Sequence, residues 1–397
     1  MFTYKSLLTV LFYTFFLYSN YFGYDLYIAN TIFALMALAS LFLLSKKELF
    51  ISGFFISVLW FWWIGYSFVY YDLIFLIPII IVAIGCIYGV LFYLIGLSNN
   101  FIYKFIYIVI LSYINPFGFN WFKLELLFVN SYFGISKIEF ILILLFVSLF
   151  LYYKDKYKRG SFILFFVSLV TLYIHNISNS TIVTKPKLEI VQYNTKIKQN
   201  EKWERDNKQK IVMENFLAIQ NAIDTKKDLI ILPETAFPLL LNRTKDINNR
   251  LLELSYKISI VTGSLYEKDG LYYNSTYFYE NGKVKVAHKV VLVPFGEAVP
   301  FPEKIRNLIN DLFYNGAKDY ETAKKPTTFI IQGIKFRSAI CYEATTDDIY
   351  EDLDTPYIIA ISNNAWFTPS IQPTLQKMLM KYYKKKYNLY YLNVTNY

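Results

Sequence analysis

The sequence predicts a polytopic α-helical membrane bundle followed by an α/β soluble domain. Of its 397 residues, 55% are hydrophobic, and these are concentrated before about residue 180. That part contains repeated runs of about 20 apolar residues, the length needed to cross a hydrocarbon core. From residue 187 onward, short β-rich runs alternate with polar helical runs, which is typical of a sheet with helices on its faces. We therefore assign 1–180 to a transmembrane domain and 181–397 to one soluble domain.

The apolar runs of the first part predict about seven membrane spans. They lie near residues 5–23, 27–45, 49–69, 71–97, 101–117, 136–153 and 160–178. The fifth run is the least regular, because Lys104 lies in its first turn and Pro116 would break a helix near its end. A cleavable signal peptide in the first run is disfavoured, since no small-residue cleavage site follows it and further hydrophobic runs come immediately after.

The charges of the short loops predict the orientation of the spans. Lysine and arginine are retained on the cytoplasmic side of a membrane. Loops near Asp25 and Asp72 carry neither residue, and the loop between the fifth and sixth runs carries only Lys123 and Lys137. The basic residues of the opposite side are Lys5, Lys46, Lys47, Lys104, Lys154, Lys156, Lys158 and Arg159. We expect a cytoplasmic amino terminus, and an odd number of spans then puts the soluble domain outside the cytoplasm, which in a bacterium with an inner and an outer membrane means the periplasm.

The net charge, the cysteines and the missing motifs exclude several kinds of functional site. The net charge of +10 fits attraction to anionic lipid headgroups, and no nucleic-acid-binding motif accompanies it. The two cysteines, Cys86 and Cys341, fall in parts that should face different solvents, so no disulfide is expected. No histidine or cysteine cluster has metal-ligand spacing and no glycine-rich phosphate loop is present. We therefore expect neither a metal nor a cofactor.

Three residues at the ends of apolar strand-like runs offer an acid, a cation and a thiol. Glu234 follows an apolar run that would raise its pKa and suit it to general-base catalysis, although a carboxylate in a loop has the same pattern. Lys289 is either a surface lysine or a fixed cation that stabilises an oxyanion and lowers a thiol pKa. Cys341 is a nucleophile or a buried structural thiol, and composition alone favours the second. A cysteine–histidine pair would have to use His288.

Together, Glu234, Lys289 and Cys341 resemble the Glu-Lys-Cys triad of the nitrilase, or carbon-nitrogen hydrolase, superfamily. With seven spans in front, the chain is similar to the apolipoprotein N-acyltransferase family. The motifs Val-Pro-Phe-Gly-Glu and Cys-Tyr-Glu are specific for that family, and other segments are compatible with it. The matching segments are 60–67, 232–236, 261–264, 273–275, 292–297, 341–343 and 362–367. The resemblance implies an αββα sandwich for the soluble domain.

The resemblance also implies an activity. The family transfers an acyl chain from a phospholipid donor to the free amine of diacylglyceryl-cysteine in a lipoprotein acceptor. Cys341 would carry the acyl group as a thioester, and Glu234 would be the general base. Lys289 and the backbone N–H of Tyr342 would hold the oxyanion. Such a two-step exchange predicts ping-pong kinetics.

Four further residues receive roles from the same resemblance. Glu297 and Glu343 would orient Lys289 and the acceptor amine, although either could instead cap a turn. Trp366 would line the acyl pocket beside Tyr342. Trp121 would contact lipid, with an interfacial aromatic belt as the alternative.

The carboxyl end departs from the family pattern. The family continues past its Thr-Asn element with further strands and an eighth span, whereas here that element lies at 393–396 and the sequence ends at Tyr397. Missing strands would leave a sheet edge exposed. The short carboxyl end favours one alternative to the acyltransferase, a truncated, non-catalytic homologue that binds lipid or lipoprotein. A second alternative is a membrane-tethered nitrilase-type amidase, since water could replace the amine acceptor with the same triad.

Overall fold

The computed structural model describes residues 3–154, 156–178, 183–294, 296–298, 302–313 and 319–397. The chain forms two compact units. The first consists of Met1–Pro116, Asn120–Ile182 and Pro369–Lys386, and the second of Phe117–Phe119, Val183–Thr368 and Tyr387–Tyr397. The helix Gln372–Tyr387 is therefore grouped almost entirely with the first unit, although it comes from the part of the sequence assigned to the soluble domain.

Apolar helices make up most of the first unit. They are α1 (Tyr4–Tyr21), α2 (Tyr27–Leu43), α3 (Lys46–Phe61), α4 (Ile77–Ile95), α5 (Phe101–Leu111), α6 (Lys137–Tyr153) and α7 (Lys158–Ser178). Each overlaps one of the predicted apolar runs. Among the described residues, the helical stretches long and apolar enough to cross a membrane are Lys46–Tyr70, Ile74–Ile95, Phe101–Gly118 and Arg159–Ile177. The prediction of a helical membrane bundle is confirmed.

Local signals set the start of α3 and its packing on α4. Ser45 and Glu48 form a capping box, in which the Ser45 N–H donates to the Glu48 carboxylate over 3.0 Å. Further along α3, a Cβ atom on Gly53 would lie 2.6 Å from the Cβ of Phe92. The absence of a side chain at Gly53 therefore allows the two helices to approach closely.

Lys104, the charged residue of the irregular fifth run, has a structural explanation. It is only 3% exposed, and its Nζ donates to the carbonyls of Phe42 at 2.8 Å and Leu44 at 3.2 Å. These carbonyls belong to the carboxyl end of α2, where helix backbone oxygens lack partners and a cation is favoured. Lys104 therefore caps α2 from a neighbouring helix.

The second unit contains two β-sheets. The strands are β1 (Ile190–Gln192), β2 (Leu229–Ile231), β3 (Phe237–Leu240), β4 (Ser259–Lys268), β5 (Leu271–Glu280), β6 (Lys283–His288), β7 (Thr328–Ile331), β8 (Ile334–Ile340), β9 (Tyr357–Asn363) and β10 (Tyr390–Asn396). The first sheet has the order β1-β2-β4-β5-β6, with β3 paired to β4, and the second has the order β10-β9-β8-β7. The pairs β1–β2, β2–β4, β8–β9 and β9–β10 are parallel.

Apolar side chains join the two sheets face to face. Ile231 and Val261 of the first sheet and Ile340 and Ile361 of the second belong to one fully buried cluster. On the other face of the first sheet, a second cluster includes residues of the helices Arg205–Asp224 (α9) and Lys245–Leu254 (α10). Helices therefore cover one sheet, which packs on another, and the prediction of a nitrilase-like α/β sandwich is confirmed.

The edge of the second sheet at β10 is partly covered by the chain itself. Thr195 forms a parallel bridge with Asn396, and its N–H donates to the carbonyl of Thr395 over 3.1 Å. The side chain of Asn194 accepts a hydrogen bond from the Thr395 N–H over 2.8 Å. The exposed edge that the sequence predicts is therefore reduced, because the stretch after β1 pairs with β10.

Candidate active site

Three strand ends bring the predicted triad together in the second unit. Glu234 lies three residues after β2, Lys289 directly follows β6, and Cys341 directly follows β8. The first two strands belong to one sheet and β8 to the other. Lys289 is close enough to Glu234 and Cys341 for their charges to affect one another. An acid, a cation and a thiol thus converge from both sheets.

The carboxylate of Glu234 is buried and held on both oxygens. Its Oε1 accepts a hydrogen bond from Asn274 Nδ2 over 2.7 Å, and its Oε2 accepts one from the backbone N–H of Asn363 over 2.7 Å. Burial raises the pKa of Glu234, although Lys289 and Asn274 act in the opposite direction. A carboxylate with a raised pKa is a suitable proton acceptor near neutral pH.

Lys289 is fully buried in an ion pair. Its Nζ lies 2.6 Å from Glu297 Oε2, and the same oxygen accepts a hydrogen bond from the Val293 N–H over 3.0 Å. The other oxygen of Glu297 accepts from Asn274 Nδ2 over 3.0 Å. Burial alone would lower the pKa of Lys289, but Glu297 and Glu234 outweigh it and raise the pKa above its ordinary value. Lys289 is therefore a fixed positive charge.

Cys341 lies at a sharp turn. Its φ of 54° is in the left-handed region, which residues with a side chain rarely adopt, and such strain concentrates at functional sites. The residue remains partly exposed. Burial and the charge of Glu234 raise the pKa of the Cys341 thiol, and the opposing effects of Lys289 and the Asn363 N–H do not compensate. Cys341 therefore needs a base to become a thiolate.

Glu343 ties the turn of Cys341 to the segment that follows Lys289. One oxygen accepts from the N–H of Ile340 over 2.7 Å, and the other accepts from Val290 over 2.8 Å. Burial raises the pKa of Glu343 to about 7, against the opposing effects of Lys289 and these N–H groups. Because its oxygens are engaged with backbone, Glu343 joins two loops of the site.

The aromatic residues predicted to contact substrate lie in different units. Tyr342 is buried, with its ring stacked on Phe119 at 6.1 Å between centroids. Trp366 is half-buried in the 3₁₀ turn Asn364–Phe367, directly after β9. Trp121 is buried in the first unit, and its ring lies 5.2 Å from that of Trp63. Phe295 of the Val-Pro-Phe-Gly-Glu motif lies outside the described residues.

His288 has other partners than the thiol. Its Nδ1 is 2.8 Å from Ser275 Oγ, and its ring lies 4.4 Å from that of Tyr273 and 4.8 Å from that of Tyr266. The groups whose charges affect the Cys341 thiol are Glu234, Lys289 and Glu297. The charges that act on the thiol thus favour the carboxylate over the histidine as its partner.

Sequence reasoning missed three residues of the site. Asn274 bridges two carboxylates, Asn363 donates its N–H to Glu234, and Lys202 contacts the turn of Glu234. The first two lie in the quoted segments 273–275 and 362–367, but nothing in the sequence distinguished them from their neighbours. Lys202 lies in a short polar helix where a lysine is ordinarily solvated, so it gave no signal.

Comparisons with known proteins identify the family. Residues 1–171 match the apolipoprotein N-acyltransferase integral membrane domain, and 187–397 match the carbon-nitrogen hydrolase domain. An apolipoprotein N-acyltransferase of Wolinella succinogenes is 40% identical over 98% of this chain and 93% of its own length. One from Helicobacter hepaticus is 38% identical over 92% of this chain and 91% of its own length.

Among solved structures, a CN-hydrolase superfamily protein of Xanthomonas campestris overlaps 53% of this chain and 76% of its own, at 14% identity and a TM-score of 0.38.

The matched membrane domain and its apolar helices make the chain a multi-pass membrane protein. The match of residues 187–397 to the carbon-nitrogen hydrolase domain and the two relatives, which align over more than nine-tenths of the chain, lead to the same family. The chain belongs to the apolipoprotein N-acyltransferase family.

Proposed function

We propose that this protein transfers an acyl chain from a phospholipid to the amino-terminal amine of a diacylglyceryl-cysteine lipoprotein. The observation that carries the proposal is the convergence of a buried carboxylate, a buried ammonium and a partly exposed thiol at Glu234, Lys289 and Cys341. This set can form and resolve a thioester, and the relatives named for the same activity match the chain over nearly its whole length.

The first half of the reaction acylates the enzyme. Glu234 takes the proton of the Cys341 thiol as the sulfur attacks the ester carbonyl of the phospholipid. The ammonium of Lys289 and the backbone N–H of Tyr342 stabilise the oxyanion. When the tetrahedral intermediate collapses, the ester C–O bond breaks, and Glu234 returns its proton to the leaving lysophospholipid oxygen. The acyl group then remains on sulfur.

The raised pKa values of the acid and the thiol support general-base catalysis. A preformed thiolate would need the Cys341 pKa to lie below its ordinary value, whereas burial and Glu234 raise it. If the proton passes to Glu234 during the attack, no free thiolate has to form on Cys341. The base is then already protonated when the leaving alcohol needs a proton.

The second half transfers the acyl group to the acceptor. The lipoprotein amine attacks the thioester carbonyl, and Glu234 accepts a proton from the amine. Lys289 again stabilises the oxyanion, the C–S bond breaks, and the proton passes from Glu234 to the departing sulfur. The products are an amide and the free Cys341 thiol. Because the first product leaves before the second substrate reacts, the kinetics are ping-pong.

The neighbouring residues receive supporting roles. Glu297 holds the ammonium of Lys289 through its 2.6 Å ion pair. For Glu343 we favour holding the turn of Cys341 over contacting the acceptor amine, since its oxygens already accept backbone N–H groups. We also propose that Trp366 and Trp121 contact substrate. Trp366 lies in the turn directly after Asn363, whose N–H binds Glu234, and Trp121 lies among buried aromatic rings of the helical unit.

The proposed location is the bacterial inner membrane, with the amino terminus in the cytoplasm and the catalytic domain in the periplasm. The distribution of lysine and arginine over the short loops supports this orientation. In it, the acyl donor is a lipid of the same membrane, and the acceptor is a lipoprotein already anchored there by its diacylglyceryl group.

Mass spectrometry of the purified protein in phospholipid micelles tests the function. We expect an acyl-sized mass increase that hydroxylamine removes, since a thioester is cleaved by that nucleophile. Replacing the only other cysteine, as Cys86→Ala, is a matched control and should leave the adduct in place. An absent adduct, or hydrolysis of a small amide in its place, would contradict acyl transfer.

Gly263→Ala is expected to displace the general base while leaving its carboxylate chemically unchanged. A Cβ atom at this position would lie 2.6 Å from Glu234 Cα and 2.6 Å from Thr235 N, so the turn that carries the base must shift. A displacement of that kind lowers the rate of acyl transfer by about 100-fold. Gly160→Ala, where a Cβ meets nothing within 4 Å, is the control. Equal transfer rates for both variants would refute the expectation.

A further inference from the structure

A buried lysine outside the triad contacts the turn that carries the base. Lys202 is the last residue of the short helix Gln199–Lys202 (α8) and is 1% exposed. Its Nζ donates to the backbone carbonyl of Glu234 over 3.1 Å and to Thr235 Oγ1 over 2.6 Å. Both acceptors are neutral oxygens. A lysine buried at this depth loses hydration that two such bonds replace only in part. Burying its ammonium therefore costs free energy, and a role in the site would explain that cost.

The turn that Lys202 contacts is strained. Thr235 has a φ of 48°, in the left-handed region. For a β-branched residue this conformation is a true outlier, and it persists only where the surroundings enforce it. Lys202 binds the carbonyl before this residue and the hydroxyl of its side chain, so it fixes the backbone on one side and the side chain on the other. The direction of the Glu234 carboxylate depends on that turn.

The same helix also reaches the opposite side of the base. Gln199 Oε1 accepts a hydrogen bond from Asn363 Nδ2 over 2.9 Å, and the backbone N–H of Asn363 donates to Glu234 Oε2 over 2.7 Å. The side-chain oxygen of Asn363 accepts from Asn396 Nδ2 over 2.7 Å. α8 is therefore connected to Glu234 through its backbone turn and through the amide that binds its carboxylate.

We propose that Lys202 is a positioning residue that holds the Glu234–Thr235 turn and thereby the position of the general base. The inference rests on the proposed function, because it assumes that Glu234 is the base. Lys202 touches no reacting atom in this scheme. Its effect reaches the reaction through Glu234 alone.

Electrostatics give this role a measurable consequence. Burial lowers the pKa of Lys202 to about 7, and Glu234 opposes that shift. Below that pH the ammonium is charged and lowers the pKa of Glu234, as Lys289 does, while Glu297 raises it. The Cys341 thiol, which responds to Glu234, Lys289 and Glu297, and Glu343, which responds to Lys289, also belong to this cluster. Removing the ammonium of Lys202 should therefore raise the pKa of Glu234.

The test compares Lys202→Met with Lys198→Met in the full-length protein, using a phospholipid donor and a diacylglyceryl-peptide acceptor. Lys198 lies on the same segment, but its side chain is 65% exposed and pairs with Glu201. We expect kcat of Lys202→Met to fall about 100-fold with KM nearly unchanged. We also expect the acid limb of its kcat/KM profile to move to higher pH. Lys198→Met should match the wild type in both.

A second pair of variants tests the same contact from the Thr235 side, in case Lys202→Met does not fold. Thr235→Val keeps the β-branched shape but removes the hydroxyl that Lys202 binds, whereas Thr235→Ser keeps the hydroxyl. We expect Thr235→Val to lose about 10-fold in kcat, as for one neutral hydrogen bond, and Thr235→Ser to retain most of it. Thermal unfolding is followed in parallel. A lower unfolding temperature with an unmoved acid limb means that Lys202 is only structural, and overturns the inference.

The two proposals fail in different ways. If the wild type forms no hydroxylamine-sensitive adduct, or if Glu234→Gln acylates at the wild-type rate, the proposed function itself is wrong. If the wild type forms the adduct, Glu234→Gln does not, and the folded Lys202→Met and Thr235→Val variants keep the wild-type kcat and acid limb, only the role of Lys202 is refuted.

Discussion

Replacement of Cys341 by alanine is expected to abolish acyl transfer and the acyl adduct together. The Cys341 thiol lies within reach of the charges of both Glu234 and Lys289. Loss of a catalytic nucleophile lowers kcat by about 10⁴-fold or more. The rate is measured with a fluorescent phospholipid donor and a diacylglyceryl-peptide acceptor, and the adduct by mass spectrometry on the same samples.

Cys341→Ser distinguishes a missing nucleophile from a damaged turn. The serine hydroxyl has nearly the same size, but it ionises far less readily than a thiol, so Glu234 cannot activate it to the same extent. We expect this variant to fold as the wild type does and to be nearly inactive. If Cys341→Ala retained transfer above about 1% of the wild-type rate, a covalent intermediate on Cys341 would be ruled out.

Lys289→Met is expected to damage both the chemistry and the fold. Removing an oxyanion-stabilising group lowers kcat by about 10²–10³-fold. Because Lys289 is 0% exposed and pairs with Glu297, which is 14% exposed, its loss also leaves a largely buried carboxylate without its partner. Breaking a buried pair in this way costs about 3–5 kcal/mol in the free energy of unfolding. Both quantities are measured on the same detergent-solubilised protein.

The destabilisation of Lys289→Met should depend on pH in a defined direction. Without the ammonium, the pKa of Glu234, which burial already raises, rises further. A carboxyl group with a raised folded-state pKa contributes stability below its unfolded pKa and loses that contribution as pH rises through the folded value. We expect the variant to be least destabilised near about pH 5 and most destabilised near about pH 8.

The double variant Lys289→Met with Glu297→Gln is the control for this reasoning. It removes the unpaired carboxylate, so part of the lost stability should return, while catalysis should not. If the double variant were less stable than Lys289→Met, the ion pair could not explain the effect. A pH-independent loss of stability would contradict the part assigned to Glu234 in the pH dependence.

Much of the fold and the triad could be predicted because the signals are local. Apolar runs of helical length predict α1 to α7, and polar residues at the ends of β-rich runs predict Glu234, Lys289 and Cys341. The ion pair between Lys289 and Glu297 also spans only eight residues of sequence. Each of these features depends on residues that are close along the chain.

Other features could not be predicted, because they depend on residues brought together over long separations. Asn396 supports Asn363, which in turn donates to Glu234. The raised pKa of the Cys341 thiol runs against the expectation from a neighbouring lysine, since burial and Glu234 together outweigh the attraction of Lys289. Sequence shows which charges exist but not how much water the fold removes from them.

By itself the sequence determined the two-part architecture, the family and the three side chains offered for the chemistry. Hydrophobic periodicity and short motifs are carried by consecutive residues, so they survive without a structure. The tertiary structure decided how those groups are held: the left-handed turn of Cys341, the bridge of Asn274 between two carboxylates, and the buried contact of Lys202 with Glu234. Each of these contacts depends on distances between distant residues and on the loss of water around them, and both are set by how the two sheets and α8 pack together.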